Sequence, residues 1–458
     1  MNRRRLLVAA SLVALVATAC SAGGSAGGTD GRSVPASDSA RQPDGVRADQ
    51  PGDVLGARSD CPAPGSGALR WDDGPFAELV PLSDDSAGPA VHAAVYPRPD
   101  YEGNPWSQWG QGIVLPDGRF LSAIGDHRGP DGNSFFYEFD PARNRLTQIS
   151  DVLSVADHHA GDWGYGKVHA QMVAGPCGEV YAATYWGTVN DLAYEGSYDG
   201  DLLLRLDPAE RTIENLGPVL EEHGVPSLAG WSDGGLLYAE AANPKLHDPQ
   251  RGALVVLDMT TGEQVLATPD EQDHRGFRAM AVDQEGRVVF SRDNGGLARW
   301  DPASSELTDL DVVLPAEFLR AATAPAPDGT VYLATQNPDL LFALDADGQL
   351  RGLGRLAGYT ASLAMATDGS RLWYVPDAHG GAAERGTPVI EVDTRTGEQH
   401  TVVELDPLAQ DALGLSLGGT YNIAVDDTGS TLYLGLNAAE PTAESLFGEV
   451  VLVVVELG

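Results

Sequence analysis

Phe135-Phe136-Tyr137-Glu138-Phe139-Asp140-Pro141 and Leu202-Leu203-Leu204-Arg205-Leu206-Asp207-Pro208 share one pattern, a largely apolar run of strand length closed by Asp-Pro. Such a run keeps little for water on either face and reads as a strand covered on both sides. Proline ends it, because it has no amide to donate and its fixed φ suits a turn. Around each run lies a larger unit: apolar strand, Asp-Gly-like turn, apolar strand, loop, apolar strand, Asp-Pro or Thr-Gly turn, polar strand. The first turns fall at Gly118, Gly178, Gly235, Gly286, Gly329, Gly369 and Gly429, and second turns follow Asp140, Asp207, Asp258, Asp301, Asp345 and Asp393. Four short strands per unit, at about 40–50 residues per repeat, is the pattern of a propeller blade. The expectation is an all-β chain forming a seven-bladed β-propeller of four-stranded antiparallel blades. The last unit ends on Glu449–Leu457 with no chain left for a fourth strand, so the N-terminal segment Phe76–Leu82 is expected to close that blade and remove an open edge.

The 458 residues carry 66 acidic and 29 basic side chains, a formal charge of -37. A body this negative repels phosphate backbones, which argues against nucleic acid as a partner. With 42% hydrophobic residues there is enough apolar matter for a core, and 55 glycines with 30 prolines fit a turn-rich β fold. Three cysteines cannot make a disulfide-rich scaffold.

Residues 1–19 have the layout of an export signal: Arg3-Arg4-Arg5, then an apolar run from Leu6 to Ala19 that is too short to span a membrane. Its end, Val16-Ala17-Thr18-Ala19-Cys20, resembles a bacterial lipobox, which implies lipidation of Cys20 and a place at the outer face of the cell envelope. Residues 20–58, rich in Gly, Ser, Ala, Asp and Pro, bury too little to order themselves and are expected to form a stalk. The propeller domain is then 59–458. Cys61 and Cys177 remain as an even pair in an oxidising compartment and are expected to form a disulfide, the alternative being two buried thiols.

In a propeller, the loops before the first strand and after the second strand of every blade share one face. Nine residues before each turn glycine lie Trp109, His169, Pro226, Phe277, Arg320, Thr360 and Thr420, with Arg278 and Tyr421 one step further in their blades. The second-strand exits add His127, Tyr185, Trp186, Arg292, Gln336, Asp377 and Asn437. Residues 106–186, under a fifth of the chain, hold four of ten histidines (His127, His158, His159, His169) and four of eight tryptophans (Trp106, Trp109, Trp163, Trp186). Only two lysines occur, Lys167 and Lys245, and the first stands two residues from His169. With strand periodicity Lys167, His169 and Gln171 share one side and Val168, Ala170 and Met172 the other.

Gly166-Lys167-Val168-His169 followed by Ala183-Thr184-Tyr185-Trp186-Gly187-Thr188 resembles motifs of seven-bladed propeller lyases acting on uronate-containing polysaccharides, of the ulvan-lyase and rhamnose–glucuronate-lyase kind. The resemblance implies that His169 and Tyr185 are the reacting pair. The residues present suit that chemistry. A neutral base (His169 or His127) would take the proton beside the carboxylate, Tyr185 would protonate the leaving oxygen, and Lys167, Arg278 or Arg320 would neutralise the carboxylate. Trp109, Trp163 and Trp186 offer faces for sugar rings, with Tyr421 beside them. The acidic body opposes a polyanion, so the rim must be locally positive. The expected partner is a polysaccharide or oligosaccharide, met by a monomer that touches the membrane only through its lipid. The alternatives are a non-catalytic module that binds a glycan or a partner protein, and a metal-dependent hydrolase or lyase using His127, His158, His159 and His169. The irregular spacing of those histidines matches no short ligand motif, and no other cofactor is expected. Asn422-Ile423-Ala424-Val425-Asp426 resembles gluconolactonase-like propellers, but the entrance ring lacks the glutamate that resemblance implies.

Overall fold

Seven antiparallel sheets form seven blades; in four of them the four strands run in chain order from inner to outer, and the other three also take strands from the N-terminal segment. The computed structural model describes residues 65–83, 88–101, 106–126, 128–185, 198–242, 252–269, 279–292 and 295–458. Blade 1 spans 113–151, blade 2 173–218, blade 3 224–267, blade 4 281–313, blade 5 318–355, blade 6 364–404 and blade 7 416–456. All described residues belong to one unit, Pro51–Gly458. Cys20, the expected stalk 20–58 and Cys61 lie outside the described residues, whereas Cys177 is disulfide-bonded.

The turn chemistry is as the repeats require. All seven first-turn glycines adopt positive φ, from 60° at Gly235 to 85° at Gly118 and Gly178, a region that costs other residues dearly. At the second turns the aspartates accept backbone amides two or three residues on: Asp140 from Ala142 and Arg143, Asp207 from Ala209 and Glu210, Asp258 from Thr260 and Thr261. Each side chain thereby folds its own turn.

The core is divided among the seven seams between blades. Successive residues of one strand go to opposite neighbours, so Val180 and Ala182 pack against blade 1 while Tyr181 and Ala183 pack against blade 3. In blade 7, Val451, Val453 and Val455 face blade 6, and Val450, Leu452 and Val454 face blade 1. This is why the middle strands read as unbroken apolar runs: both faces are interior. Burying a side chain such as Leu434, fully enclosed between blades 6 and 7, stabilises the ring by about 1.5–3 kcal/mol.

The N-terminal segment does close blade 7, but with a different stretch from the one expected. Ala90–Val95 pairs with Glu449–Glu456, Val91 opposite Val455 and Val95 opposite Val451, and becomes the fourth strand. Val80–Ser83 pairs outside it as a fifth strand, and Phe76–Ala77 crosses to the outer edge of blade 1. Leu69–Arg70 likewise adds a fifth strand to blade 2. Burial decides between the candidates. Val91 and Ala93 are fully enclosed, with Ala93 packed against blade 6 and Ala94 against blade 1. Phe76 is 52% and Val80 44% exposed, and Pro81 fits an outermost strand because it has no amide to contribute to the sheet. Phe76–Leu82 therefore forms edges, not the closure.

Candidate functional site

Around the axis, residues from all seven blades line a cavity of about 370 Å³. At one end a smaller recess of about 20 Å³ brings together Trp109, Gln111, His169, Gln171, Arg320 and Tyr421 from blades 1, 2, 5 and 7. Of the ring counted back from the turn glycines, Trp109, His169 and Arg320 meet at this recess, with Tyr421 one step further along its blade.

Backbone pairing beyond the regular strands sets the blade 2 part of this mouth. Val168 and Thr184 form an antiparallel bridge ahead of the pairing between Val173–Ala174 and Val180–Ala183. The Tyr185 amide donates to the Lys167 carbonyl at 2.9 Å. The His169 and Tyr185 rings meet edge to face with centroids 5.1 Å apart. Lys167 Nζ lies 4.5 Å from the centre of the Trp109 ring and 5.5 Å from that of Tyr185, so the ammonium bridges blade 1 and blade 2 through two π faces. Strict alternation is not kept over 167–172. Val168 and Met172 join the seam with blade 1, and Ala170 the seam with blade 3. The reason is that this stretch carries an isolated bridge ahead of the regular strand Val173–Ala174, and its backbone is not regularly pleated.

His169 Nδ1 lies 3.0 Å from the Pro226 carbonyl in blade 3. A carbonyl can only accept, so Nδ1 carries the proton, and in the neutral ring the basic lone pair sits on Nε2.

Blade 1 enters the mouth under tight control. Gln108 and Asn437 exchange two hydrogen bonds, the Gln108 amide donating to Asn437 Oδ1 at 2.8 Å and Asn437 Nδ2 donating to the Gln108 carbonyl at 3.0 Å. Gly110 allows blade 2 to come close, since a Cβ there would lie 2.6 Å from the Ala170 carbonyl oxygen. Between these two points Trp109 is stacked on Phe447 at 5.3 Å and tilted against Tyr421 at 5.2 Å.

Across the mouth, Arg320 Nε donates to the Tyr359 hydroxyl at 2.5 Å, and the guanidinium lies 5.1 Å from the Tyr359 ring centre and 5.5 Å from that of Tyr421. The Tyr421 hydroxyl contacts His379 Nδ1 at 2.6 Å. His379, Tyr359 and Phe447 were not among the residues singled out from sequence. His379 could have been found, because it stands two residues after Asp377, itself placed at the second-strand exit of blade 6.

Other expected residues are placed elsewhere or are not described. Trp163, in the connection between blades 1 and 2, packs edge-on against Tyr198, which precedes the third strand of blade 2, at 4.7 Å and does not line the recess. His158 Nε2 lies 3.8 Å from an Asp131 carboxylate oxygen, and His159 is exposed, 3.7 Å from Asp162. Among the described residues no three His, Cys, Asp or Glu side chains are arranged to hold a metal ion, so His158, His159 and His169 do not form such a group by themselves. His127, Trp186 and Arg278 lie outside the described residues.

One buried carboxylate borders this region. Asp126, fully enclosed at the exit of the second strand of blade 1, accepts from the Tyr101 hydroxyl at 2.5 Å and from the Arg128 amide at 3.1 Å. Burial pushes its carboxyl up to about 6, partly offset by the Tyr101 hydrogen bond. A Cβ on Gly166, the residue before Lys167, would strike Asp126 Oδ1.

No family model matches the sequence, and no curated protein matches it. The fold does have solved relatives in shape. The virginiamycin B lyase of Staphylococcus aureus superimposes with a TM-score of 0.51 at 9% identity, covering 79% of this chain and 98% of that one. An oligogalacturonate lyase in complex with manganese gives 0.50 at 12% identity over 84% of this chain and 98% of that one. The WD40 repeats of RRP9 give 0.51 at 11% identity, covering 83% and 100%. The chain is therefore a seven-bladed β-propeller whose structural neighbours include lyases. At these identities the likeness is one of fold.

Proposed function

We propose that the protein is an exported, lipid-anchored propeller that binds an acidic polysaccharide at this mouth and cleaves it by β-elimination. The observation that carries the reading is the His169–Tyr185 pair: an imidazole whose Nδ1–H donates to the Pro226 carbonyl, leaving Nε2 for the substrate proton, 5.1 Å between ring centres from a phenol, with Lys167 against the same phenol ring. His169 Nε2 takes the proton from the carbon next to the uronate carboxylate, and the electron pair spreads onto that carboxylate. As the carbon–carbon double bond forms, the bond to the glycosidic oxygen breaks and Tyr185 delivers a proton to that oxygen. Lys167 and Arg320 stabilise the charge that builds on the carboxylate. The products are a new hydroxyl end and a conjugated, unsaturated uronate. The short resemblance around His169 and Tyr185, together with lyases among the structural neighbours, supports this choice.

The test is to incubate the protein with a panel of uronic-acid polysaccharides and follow the ultraviolet absorbance of the conjugated product. Burial favours a second reading, in which the same mouth binds a glycan or a partner protein without cutting it: Lys167, His169 and Tyr185 are 6%, 5% and 1% exposed. Binding without absorbance across the panel selects that reading.

A further inference from the structure

We infer that His379 is a positioning residue that sets the hydrogen-bonding polarity of the mouth through Tyr421. The inference rests on the proposal that the mouth takes an acidic carbohydrate. The geometry is that of a two-state contact. With His379 neutral and Nδ1 bare, the Tyr421 hydroxyl spends its one proton on that nitrogen across 2.6 Å and presents only lone pairs elsewhere. With His379 protonated, Nδ1 donates to the Tyr421 oxygen, and the hydroxyl proton turns outward. Tyr421 then changes from acceptor to donor without moving a heavy atom.

Tyr421 is placed to make that change matter. Its ring is 2% exposed and lines the recess together with Trp109, His169 and Arg320. His379 itself stands outside the recess and is exposed, so it can exchange protons with water. The His379 ring is bounded by Trp109 at 5.9 Å and Phe447 at 5.7 Å, which hold its plane. Among the described residues, the charged groups around the pair are Arg320 over Tyr421, Lys167 over Trp109, and Asp377 on the same loop, which is itself paired with Arg385 at 2.9 Å. A carboxylate can only accept hydrogen bonds, so an acidic sugar fits the donor state and its binding strengthens as pH falls through the imidazole range. A neutral sugar hydroxyl fits both states.

The full chain, labelled with carbon-13 at tyrosine, can be titrated by NMR from acid to alkaline pH beside His379→Asn, whose amide occupies the Nδ1 position but does not titrate, and Tyr421→Phe, which assigns the signal. A Tyr421 ring signal that moves through one transition in the parent and stays flat in His379→Asn supports the inference. A flat signal in the parent, or a transition that survives in His379→Asn, overturns it. Binding of alginate oligomers, read by tryptophan fluorescence, should strengthen by about ten- to a hundredfold across the transition in the parent and by none in His379→Asn, one hydrogen bond to a charged group being gained. Equal pH dependence in both proteins overturns the link to the ligand. If no uronate polymer is cut but the Tyr421 transition is present and depends on His379, the proposed chemistry fails and the positioning role stands.

Discussion

The Tyr185 amide donates to the Lys167 carbonyl, and this single backbone bond holds the phenol of one strand exit beside the imidazole two residues beyond the lysine. Two segments of one blade thereby present an imidazole, a phenol and an ammonium from a stretch of fewer than twenty residues. The remaining parts of the mouth, Trp109, Arg320 and Tyr421, arrive from blades 1, 5 and 7.

Removing either member of the pair tests the proposed chemistry. His169→Ala and Tyr185→Phe should each lower the rate of unsaturated product formation by about 10²–10⁴-fold, the usual contribution of a general base or acid. Tyr185→Phe should leave the thermal midpoint nearly unchanged because its ring packing is kept. Full activity in a folded His169→Ala protein removes His169 from the role of base.

Gly110→Ala tests whether the distance between blades 1 and 2 matters, without deleting a reactive group. Its Cβ would sit 2.6 Å from the Ala170 carbonyl oxygen and 2.9 Å from that of Val168. Backbone must shift to admit it, at a cost of about 1–3 kcal/mol. Denaturant unfolding should show that loss, and the cleavage rate should fall with it as Trp109 moves from Lys167.

Asp126 makes stability fall as pH rises. Its folded pKa of about 6 stands above the ordinary 3.8, so the folded state holds its proton more firmly than the unfolded chain does. The stabilisation is full below the unfolded value and is lost between it and about 6, to a limit of about 3 kcal/mol. Asp126→Asn does not ionise, so its stability relative to the parent should improve by up to that amount between pH 4 and pH 7. Urea unfolding of both proteins at the two pH values measures the difference. An offset that does not change with pH excludes a titrating Asp126.

The two N-terminal strands of blade 7 should respond very differently to charge. Ala93→Asp places a carboxylate in the enclosed seam with blade 6 and should cost several kcal/mol, enough to lower the thermal midpoint sharply or prevent folding. Val80→Asp, at a residue 44% exposed on the outermost strand, should change stability by about 0.5 kcal/mol or less. Circular dichroism melts of both variants give the comparison. Similar midpoints would mean that Ala90–Val95 is not the closing strand.

Much of the ring is legible in the order of residues, and for a local reason. Turn glycines need positive φ and turn aspartates cap their own amides, so both leave marks a few residues long, and counting from Gly118 or Gly178 reaches Trp109 or His169. The choice of closing strand is not local. Phe76–Leu82 is as apolar as Ala90–Val95, and what separates them is which one two neighbouring blades cover. His379 escapes for a similar reason: an exposed histidine in a loop has no periodic signature, and its meaning comes from Tyr421, in the next blade.

By itself, then, the sequence determined the seven units, the order of the consecutive strands inside each unit and the face on which the loops before first strands collect. It did so because hydrogen-bonded turns and two-sided burial act over neighbouring residues. Only the tertiary structure decided that Ala90–Val95 seals the ring, that Lys167 bridges Trp109 and Tyr185, and that the proton of His169 sits on Nδ1. Those outcomes depend on which atoms from distant blades come within a few ångströms of one another, and packing around a closed axis sets such distances only when all seven blades are in place.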